Sequence, residues 1–171
     1  SIFLEIFFKI LKKNKVSNPI ILISSNKLLN LQMKKLKFKK KIKLLNPLIL
    51  NKYKLDNKSI NLINVEYKTD KAFEKISTKS NIFIENSFKL AFKIIKKYKI
   101  NKFINGPISK KSFLNKKFLG VTEYISSNFK IKNTCMLIYN KNLSVSPITT
   151  HLPIKLVVKH IKKKTIIDKV S

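Results

Sequence analysis

The chain of 171 residues contains just two glycines, Gly106 and Gly120, and they bracket one segment, Asn105-Gly106-Pro107-Ile108-Ser109-Lys110 through Gly120-Val121-Thr122-Glu123. A sequence that dispenses with glycine elsewhere and keeps it here needs backbone shapes at these points that side-chain-bearing residues do not hold. The fold is therefore expected to place two special backbone features around this segment, which makes it the first candidate for a site.

The pattern leading up to it is that of an α/β protein. Ile2, Ile6, Phe7, Ile10 and Leu11 recur at helical spacing and predict an amphipathic helix over residues 2–13. After Asn18-Pro19, the run Ile20-Ile21-Leu22-Ile23 suits a buried parallel strand, and Ser24-Ser25-Asn26 can cap a helix over 26–36. Residues 41–45 and 60–65 read as further strands separated by a polar connection with Pro47 and Asp56-Asn57 turn signals. A long helix over 79–98 carries Ile84, Phe88, Ala91, Phe92 and Ile95 on one face, and Lys102-Phe103-Ile104 is a strand candidate that runs into Gly106. Beyond it, helices are expected near Lys110, over 122–129 and over 154–163, with strands at 134–139 and 143–148. No composition shift marks an internal boundary.

The charge balance is lopsided, with 38 basic residues against 8 acidic ones, a formal +30. That invites a nucleic-acid reading. All 38 are lysine, however, and arginine, which grips phosphate bidentately and reads guanine edges, is absent, as is tryptophan. The lysines run along the whole chain rather than gathering in one tract. Codon bias accounts for this better than a selected polyanion surface, and nucleic-acid binding is expected to be non-specific and salt-sensitive. Cys135 is alone, which excludes a disulfide framework and a paired-cysteine metal site, and its apolar neighbours suggest a buried strand thiol. The first residues lack a basic leader, and the apolar runs are broken by lysine well short of the ~20 residues of a membrane span. The expectation is a soluble, cytoplasmic protein whose two ends look cut.

Three punctuated segments could carry chemistry. The turn Asn105–Lys110 follows a strand candidate and precedes a helix, an address at which open α/β sheets bind ligands, and Lys110 could meet an anionic group there. The bland alternative is an ordinary strand-to-helix turn; neither a Walker motif nor a Gly-x-Gly-x-x-Gly is present. His151, in Thr149-Thr150-His151-Leu152-Pro153, could ligate a divalent metal through a neutral ring nitrogen, although a lone histidine is more often a plain loop residue. His160, in a lysine-rich helix, reads as a surface residue.

Asn105-Gly106-Pro107-Ile108-Ser109-Lys110, Phe118-Leu119-Gly120-Val121-Thr122-Glu123-Tyr124 and Thr149-Thr150-His151-Leu152-Pro153-Ile154, in this order and spacing, resemble the 4-hydroxythreonine-4-phosphate dehydrogenase family of the vitamin B6 pathway. The family's patterns are Gly-Pro-x-x-Lys, Gly-His-Thr-Glu-[Phe/Tyr] and Thr-Thr-His-x-Pro-Leu. Ser1-Ile2-Phe3-Leu4-Glu5-Ile6 also lines up with Gly-Ile-Gly-Pro-Glu-Ile, without its glycines and proline. The likeness spans all 171 residues but only about the first half of a family member.

The resemblance implies an α/β/α layered fold of the isocitrate and isopropylmalate dehydrogenase type, incomplete at its C-terminal side, so that residues 1–171 form the amino-terminal portion of one α/β dehydrogenase. It implies NAD bound without the Rossmann fingerprint and a divalent cation, zinc, magnesium or cobalt, held by three histidines. It also implies a homodimer with a shared active site. The implied reaction oxidises 4-phosphooxy-L-threonine and decarboxylates the product to 3-amino-2-oxopropyl phosphate. Carried over by position, His151 matches a metal ligand, Thr122 a substrate-binding threonine, and Lys110 the lysine after Gly-Pro. Val121 stands where the family has a substrate-contacting histidine, and valine neither donates a hydrogen bond nor exchanges a proton. This leaves open another phosphorylated hydroxy acid as substrate. Since one metal ligand of three lies in the chain, the isolated segment is expected to be inactive.

Overall fold

The apolar run after Pro19 forms the first strand of a parallel sheet, and the rest of the amino-terminal unit is arranged around that sheet. The structure, a computed structural model, describes residues 2–13, 16–114, 117–131 and 134–170. Ser1 of the amino-terminal motif lies outside the described residues. The chain divides into two compact units, Ser1–Phe113 and Leu114–Ser171; the division falls in a lysine-bearing stretch with no linker composition.

The first unit comprises α1 (Phe3–Lys13), β1 (Ile21–Ser24), α2 (Asn26–Lys35), β2 (Ile42–Leu44), a 3-10 turn at Leu50–Lys52, β3 (Ile60–Asn64), α3 (Thr78–Tyr98) and α4 (Lys110–Phe113). The strands pair in parallel in the order β1-β3-β2, with Leu22 opposite Leu62 and Ile42 opposite Ile60. Successive side chains on a strand point to opposite faces. Ile60 and Leu62 therefore join Leu22, Leu4 and Phe8 of α1, and Leu28, Leu29 and Met33 of α2 in one buried cluster. Ile63 joins Leu45, Leu50 and Ile94 of α3 in another, with Ile21 and Ile23 packed against it. Helices cover both faces of a parallel sheet, which is the expected α/β/α layering.

Polar side chains close the two ends of the sheet. At the strand entry, Asn57 donates through Nδ2 to the carbonyls of Val16 and Asn18, both at 2.8 Å, and accepts from the Ile20 N–H at 3.0 Å. Buried Asn61 donates to the carbonyls of Ile20 and Asp56. At the exit, Asn64 Oδ1 accepts from the Asn26 N–H at 2.8 Å, while Ser25 caps α2 by accepting from the Leu28 N–H. The loop after β3 is tied by Glu74, which accepts from the Tyr67 hydroxyl at 2.7 Å and the Thr69 hydroxyl at 2.6 Å. Hydrogen bonds from Thr69 and then Tyr67 hold the Glu74 carboxyl below its ordinary range. Burial, with the neighbouring carboxylate, pushes the Tyr67 phenol up to about 12.

Four sequence expectations change. In α1 the buried positions are Leu4, Phe7 and Phe8, while Ile2, Ile6 and Ile10 are exposed, because the aromatic rings rather than the isoleucines supply the larger packing surface. The segment Lys102-Phe103-Ile104 is not a strand: residues 101–105 are exposed, no ladder partner is described for them, and Phe103 instead packs edge-on against Phe88 and Phe92 of α3. In the second unit, which holds α5 (Val121–Phe129), α6 (Ile154–His160) and α7 (Lys163–Val170), the expected strands at 134–139 and 143–148 reduce to one antiparallel bridge between Ile138 and Val145. The second unit holds no sheet among its described residues for their apolar alternation to extend, and a two-stranded ribbon has little stability by itself. For the same reason Cys135 is exposed rather than buried, its sulfur 2.9 Å from Ser146 Oγ. Among the described residues no helix is long and apolar enough to cross a membrane.

Two consequences can be measured. Leu62→Ala, at a site with no residual exposure, is expected to lower the unfolding free energy by about 2–5 kcal/mol in a denaturant titration. The Tyr67 proton is held more tightly in the folded chain than in the unfolded one. Its stabilising contribution is thus complete below the ordinary tyrosine value of about 10 and is lost as pH rises through the folded value. Phenolate absorbance should show one of the five tyrosines titrating near 12, and Tyr67→Phe should remove that step.

Candidate functional site

Handedness explains neither glycine, and space explains Gly106. Neither has a positive φ; Gly120 is extended at φ −158 and ψ 178. A β-carbon built on Gly106 would instead lie 2.2 Å from Cδ2 and 2.4 Å from Cγ of Phe3, deep inside the ring's contact surface. One built on Gly120 would lie 2.7 Å from Oε2 of Glu123, which stands in the first turn of α5. The carboxylate end of Glu123 can swing aside, so the expectation of an unusual backbone shape is replaced by close approach at Gly106 and by neither at Gly120.

In the first unit, Lys110 opens α4 and its side chain is exposed. That helical turn is anchored to α3. Asn81 Nδ2 donates to the Ser112 carbonyl at 3.1 Å and to its hydroxyl at 2.9 Å, and the Phe113 ring stacks on Phe88 with centroids 5.6 Å apart. The Phe113 N–H closes the turn onto the Ser109 carbonyl at 2.8 Å. A solvent-facing ammonium on a pinned backbone suits capture of an anionic group.

In the second unit, Gly120 is the N-cap of α5, and Val121 and Thr122 are its first two helical residues, both half-buried. Glu123 follows in the same turn, where a carboxylate is favourable to the helix dipole. The Thr122 carbonyl accepts from the Ser126 hydroxyl at 2.8 Å, and Phe118 packs edge-on to Tyr124 at 5.3 Å, fixing the approach to Gly120. Val121 offers this turn a methyl surface and no proton-transferring group.

His151 lies between the Ile138–Val145 bridge and α6, is exposed, and has a left-handed backbone at φ 59. His160 is an exposed helix residue whose Nδ1 lies 2.8 Å from the Leu156 carbonyl. No group of three His, Cys, Asp or Glu able to hold a metal exists among the described residues. The donor set here fits one coordination position, His151, and does not complete a metal site. A cavity of about 440 Å³ sits at the strand-entry end, lined by Leu11, Val16, Pro19, Lys40 and Asn57, and none of Lys110, Val121, Thr122 or His151 borders it.

Sequence reasoning missed the residues that hold these groups in place, Phe3, Asn81 and Ser112. Asn81 and Ser112 are unremarkable polar residues far apart in sequence, and no local pattern flags such a pair. Glu123 was legible, since a carboxylate three residues after a helix cap is a recurrent start signal. The left-handed backbone at His151 leads to a direct test. His151→Val is expected to destabilise the fold by about 1–2 kcal/mol and His151→Gly to leave it unchanged or firmer in thermal melts, because a β-branched residue tolerates positive φ least.

Residues 15–171 match the profile of the family described as pyridoxal phosphate biosynthetic protein PdxA, so the match includes all three punctuated segments. A 4-hydroxythreonine-4-phosphate dehydrogenase of Sulfurihydrogenibium sp. (strain YO3AOP1) is 32% identical over 113 residues, covering 65% of this chain and 34% of the relative. Among solved structures, the 4-hydroxythreonine-4-phosphate dehydrogenase of Burkholderia phymatum superposes with a TM-score of 0.80 at 19% identity, over 96% of this chain and 51% of that one. The enzyme of the same name from Klebsiella pneumoniae gives a TM-score of 0.79 at 14% identity, over 97% and 51%. At these identities the two superpositions speak to the fold. The chain spans about half the length of these solved structures, and its 113 aligned residues cover about a third of the Sulfurihydrogenibium relative. With a match over nearly its whole length, in which the Gly106, Gly120 and His151 segments all fall, the chain belongs to the PdxA family of pyridoxal phosphate biosynthetic proteins.

Proposed function

We propose that this chain forms part of a dehydrogenase that oxidises 4-phosphooxy-L-threonine at its alcohol carbon, with loss of the carboxylate as CO2 to leave 3-amino-2-oxopropyl phosphate. The observation that carries the reading is the family match across residues 15–171, which takes in all three motifs. In the reaction the hydride leaves the alcohol carbon for NAD, the hydroxyl loses its proton, and the resulting β-keto acid releases CO2. A divalent cation would supply charge stabilisation for the oxygen that turns negative in both steps; this chain carries one candidate ligand for it, His151.

The chain's own residues have binding roles in this reading. Lys110 offers an ammonium to an anionic group of the substrate from a backbone that Asn81 and Phe88 hold in place. Thr122 presents a hydroxyl on the first turn of α5. Val121 lies beside it and favours a second reading at the level of substrate, a different phosphorylated hydroxy acid, because the position contributes shape but no hydrogen bond. The family likeness further implies a homodimer with a shared active site.

Calorimetric titration tests the reading. The 171-residue chain should bind 4-phosphooxy-L-threonine in preference to L-threonine, and Lys110→Ala should weaken that binding about tenfold, the worth of one charge-assisted hydrogen bond. Equal affinity for the two ligands would reject the assignment. Stronger binding of another phosphorylated hydroxy acid would select the second reading, and Val121→His should then shift preference back toward 4-phosphooxy-L-threonine. NADH formation by this chain with substrate, NAD and divalent metal is expected to be negligible, since one donor does not hold the cation; robust turnover would show that its metal site is complete.

A further inference from the structure

We infer that Phe3 is a positioning residue for the Asn105–Lys110 turn: its ring rests on the α-carbon of Gly106 and sets where the Lys110 ammonium is presented. The inference rests on the reading of Lys110 as the partner of an anionic group. It adds a residue that touches neither substrate nor cofactor.

The argument begins with what does not hold the turn. Residues 101–105 belong to no strand and are exposed, so no ladder fixes the approach to Gly106. Packing fixes it. Upstream, Phe103 sits against Phe88 and Phe92, and downstream α4 is tied to α3 through Asn81–Ser112 and Phe88–Phe113. Between these pins, only four residues before Lys110, stands the contact of Gly106 with Phe3. A β-carbon at position 106 would approach three carbon atoms of that side chain within 2.7 Å, which means that ring and backbone already meet at van der Waals distance with nothing between them. Phe3 is not an adaptable neighbour. It is the first residue of α1 and packs against the buried cluster formed by α1, α2 and the sheet. The ring therefore transmits the position of the core to the turn, and Pro107, whose φ is fixed, carries it onward.

A methyl group at position 106 must displace either the anchored ring or the turn, and of the two the turn, which belongs to no helix or strand, is less constrained. Lys110, at the open end of α4 and joined directly to the turn, then shifts against the part of that helix pinned at Ser112 and Phe113, and misplacement of a binding group by about 1 Å costs up to ~100-fold in function. Removing the ring should make room for the methyl and undo the effect.

The experiment uses the 171-residue chain with 4-phosphooxy-L-threonine as probe. It reads affinity by calorimetry and the Lys110 side-chain resonance by NMR, with thermal melts in parallel. Gly106→Ala is expected to weaken binding at least about tenfold and to shift the Lys110 resonance in the free protein. Adding Phe3→Ala to it should recover most of the affinity, a coupling of the size seen for residues in direct contact. Phe3→Leu, which keeps apolar bulk, should bind within about threefold of the parent, a distinction that a general loss of stability would not produce. If Lys110→Ala weakens binding about tenfold while Gly106→Ala binds as the parent does, the inference about Phe3 is wrong and the reading of Lys110 stands. A double variant no better than Gly106→Ala also overturns it. If Lys110→Ala binds unchanged, or the parent shows no binding, the reading of Lys110 fails and the inference falls with it.

Discussion

Everything in the first unit hangs on β3. It lies between β1 and β2, hydrogen-bonded on both edges, and Ile60, Asn61, Leu62 and Ile63 are all but inaccessible to solvent. A strand covered on both faces needs a helix layer on each, and the alternation of Ile60 and Leu62 with Ile63 decides which helices go where: α1 and α2 on one side, α3 on the other. Burying a polar Asn61 in this position is tolerable because its amide nitrogen donates to the Ile20 and Asp56 carbonyls, which stitches the start of β1 to the turn before β3. The same strand exits into the Asn64 side chain that receives the first N–H of α2.

From that core, order reaches the candidate groups through aromatic rings rather than through the sheet. Phe88 of α3 meets Phe103 and Phe113, which flank the Gly106 turn on either side, and Phe3 of α1 meets Gly106 itself. The turn is thus suspended from two helices that belong to opposite layers of the sandwich. In the second unit the corresponding work is done locally, by the Gly120 cap, Glu123 folded back toward it and the Phe118–Tyr124 contact. That unit keeps Leu114 buried but leaves Leu137, Tyr139, Leu143, Ile154 and Val158 exposed, so its helices and its ribbon are placed by short-range contacts rather than by a core of their own.

The high positive charge plays little part in this architecture. The ion pairs Lys9–Glu5, Lys27–Asp70 and Lys89–Glu85 lie at the surface and are of small energetic weight. The core is aliphatic and aromatic, and the lysines decorate a surface whose shape they do not set. The charge, which suggested nucleic acid, is thus a separate feature of the sequence from the three motif segments, which led to the family.

How much was legible in the sequence follows from how local each cause is. Period and capping are local, so the chain by itself determined α1, β1, α2, β2, β3 and α3 nearly to the residue, along with the helix start at Gly120-Val121-Thr122. The three ordered motifs, with Lys110, Thr122, Val121 and His151, were also legible, because a motif is a property of spacing. The tertiary structure alone decided which apolar runs become strands: Lys102-Phe103-Ile104 has strand composition but no partner, since its aromatic ring finds a better surface on α3. It alone decided which side of α1 is buried, why His151 sits in a left-handed backbone, and above all, of the two glycines, what Gly106 is for. In the sequence they signalled unusual backbone angles; in the fold Gly106 has an ordinary angle and a phenylalanine ring from the far end of the unit lying against it. Such an approach between residues about a hundred positions apart exists only once the sheet has brought them together.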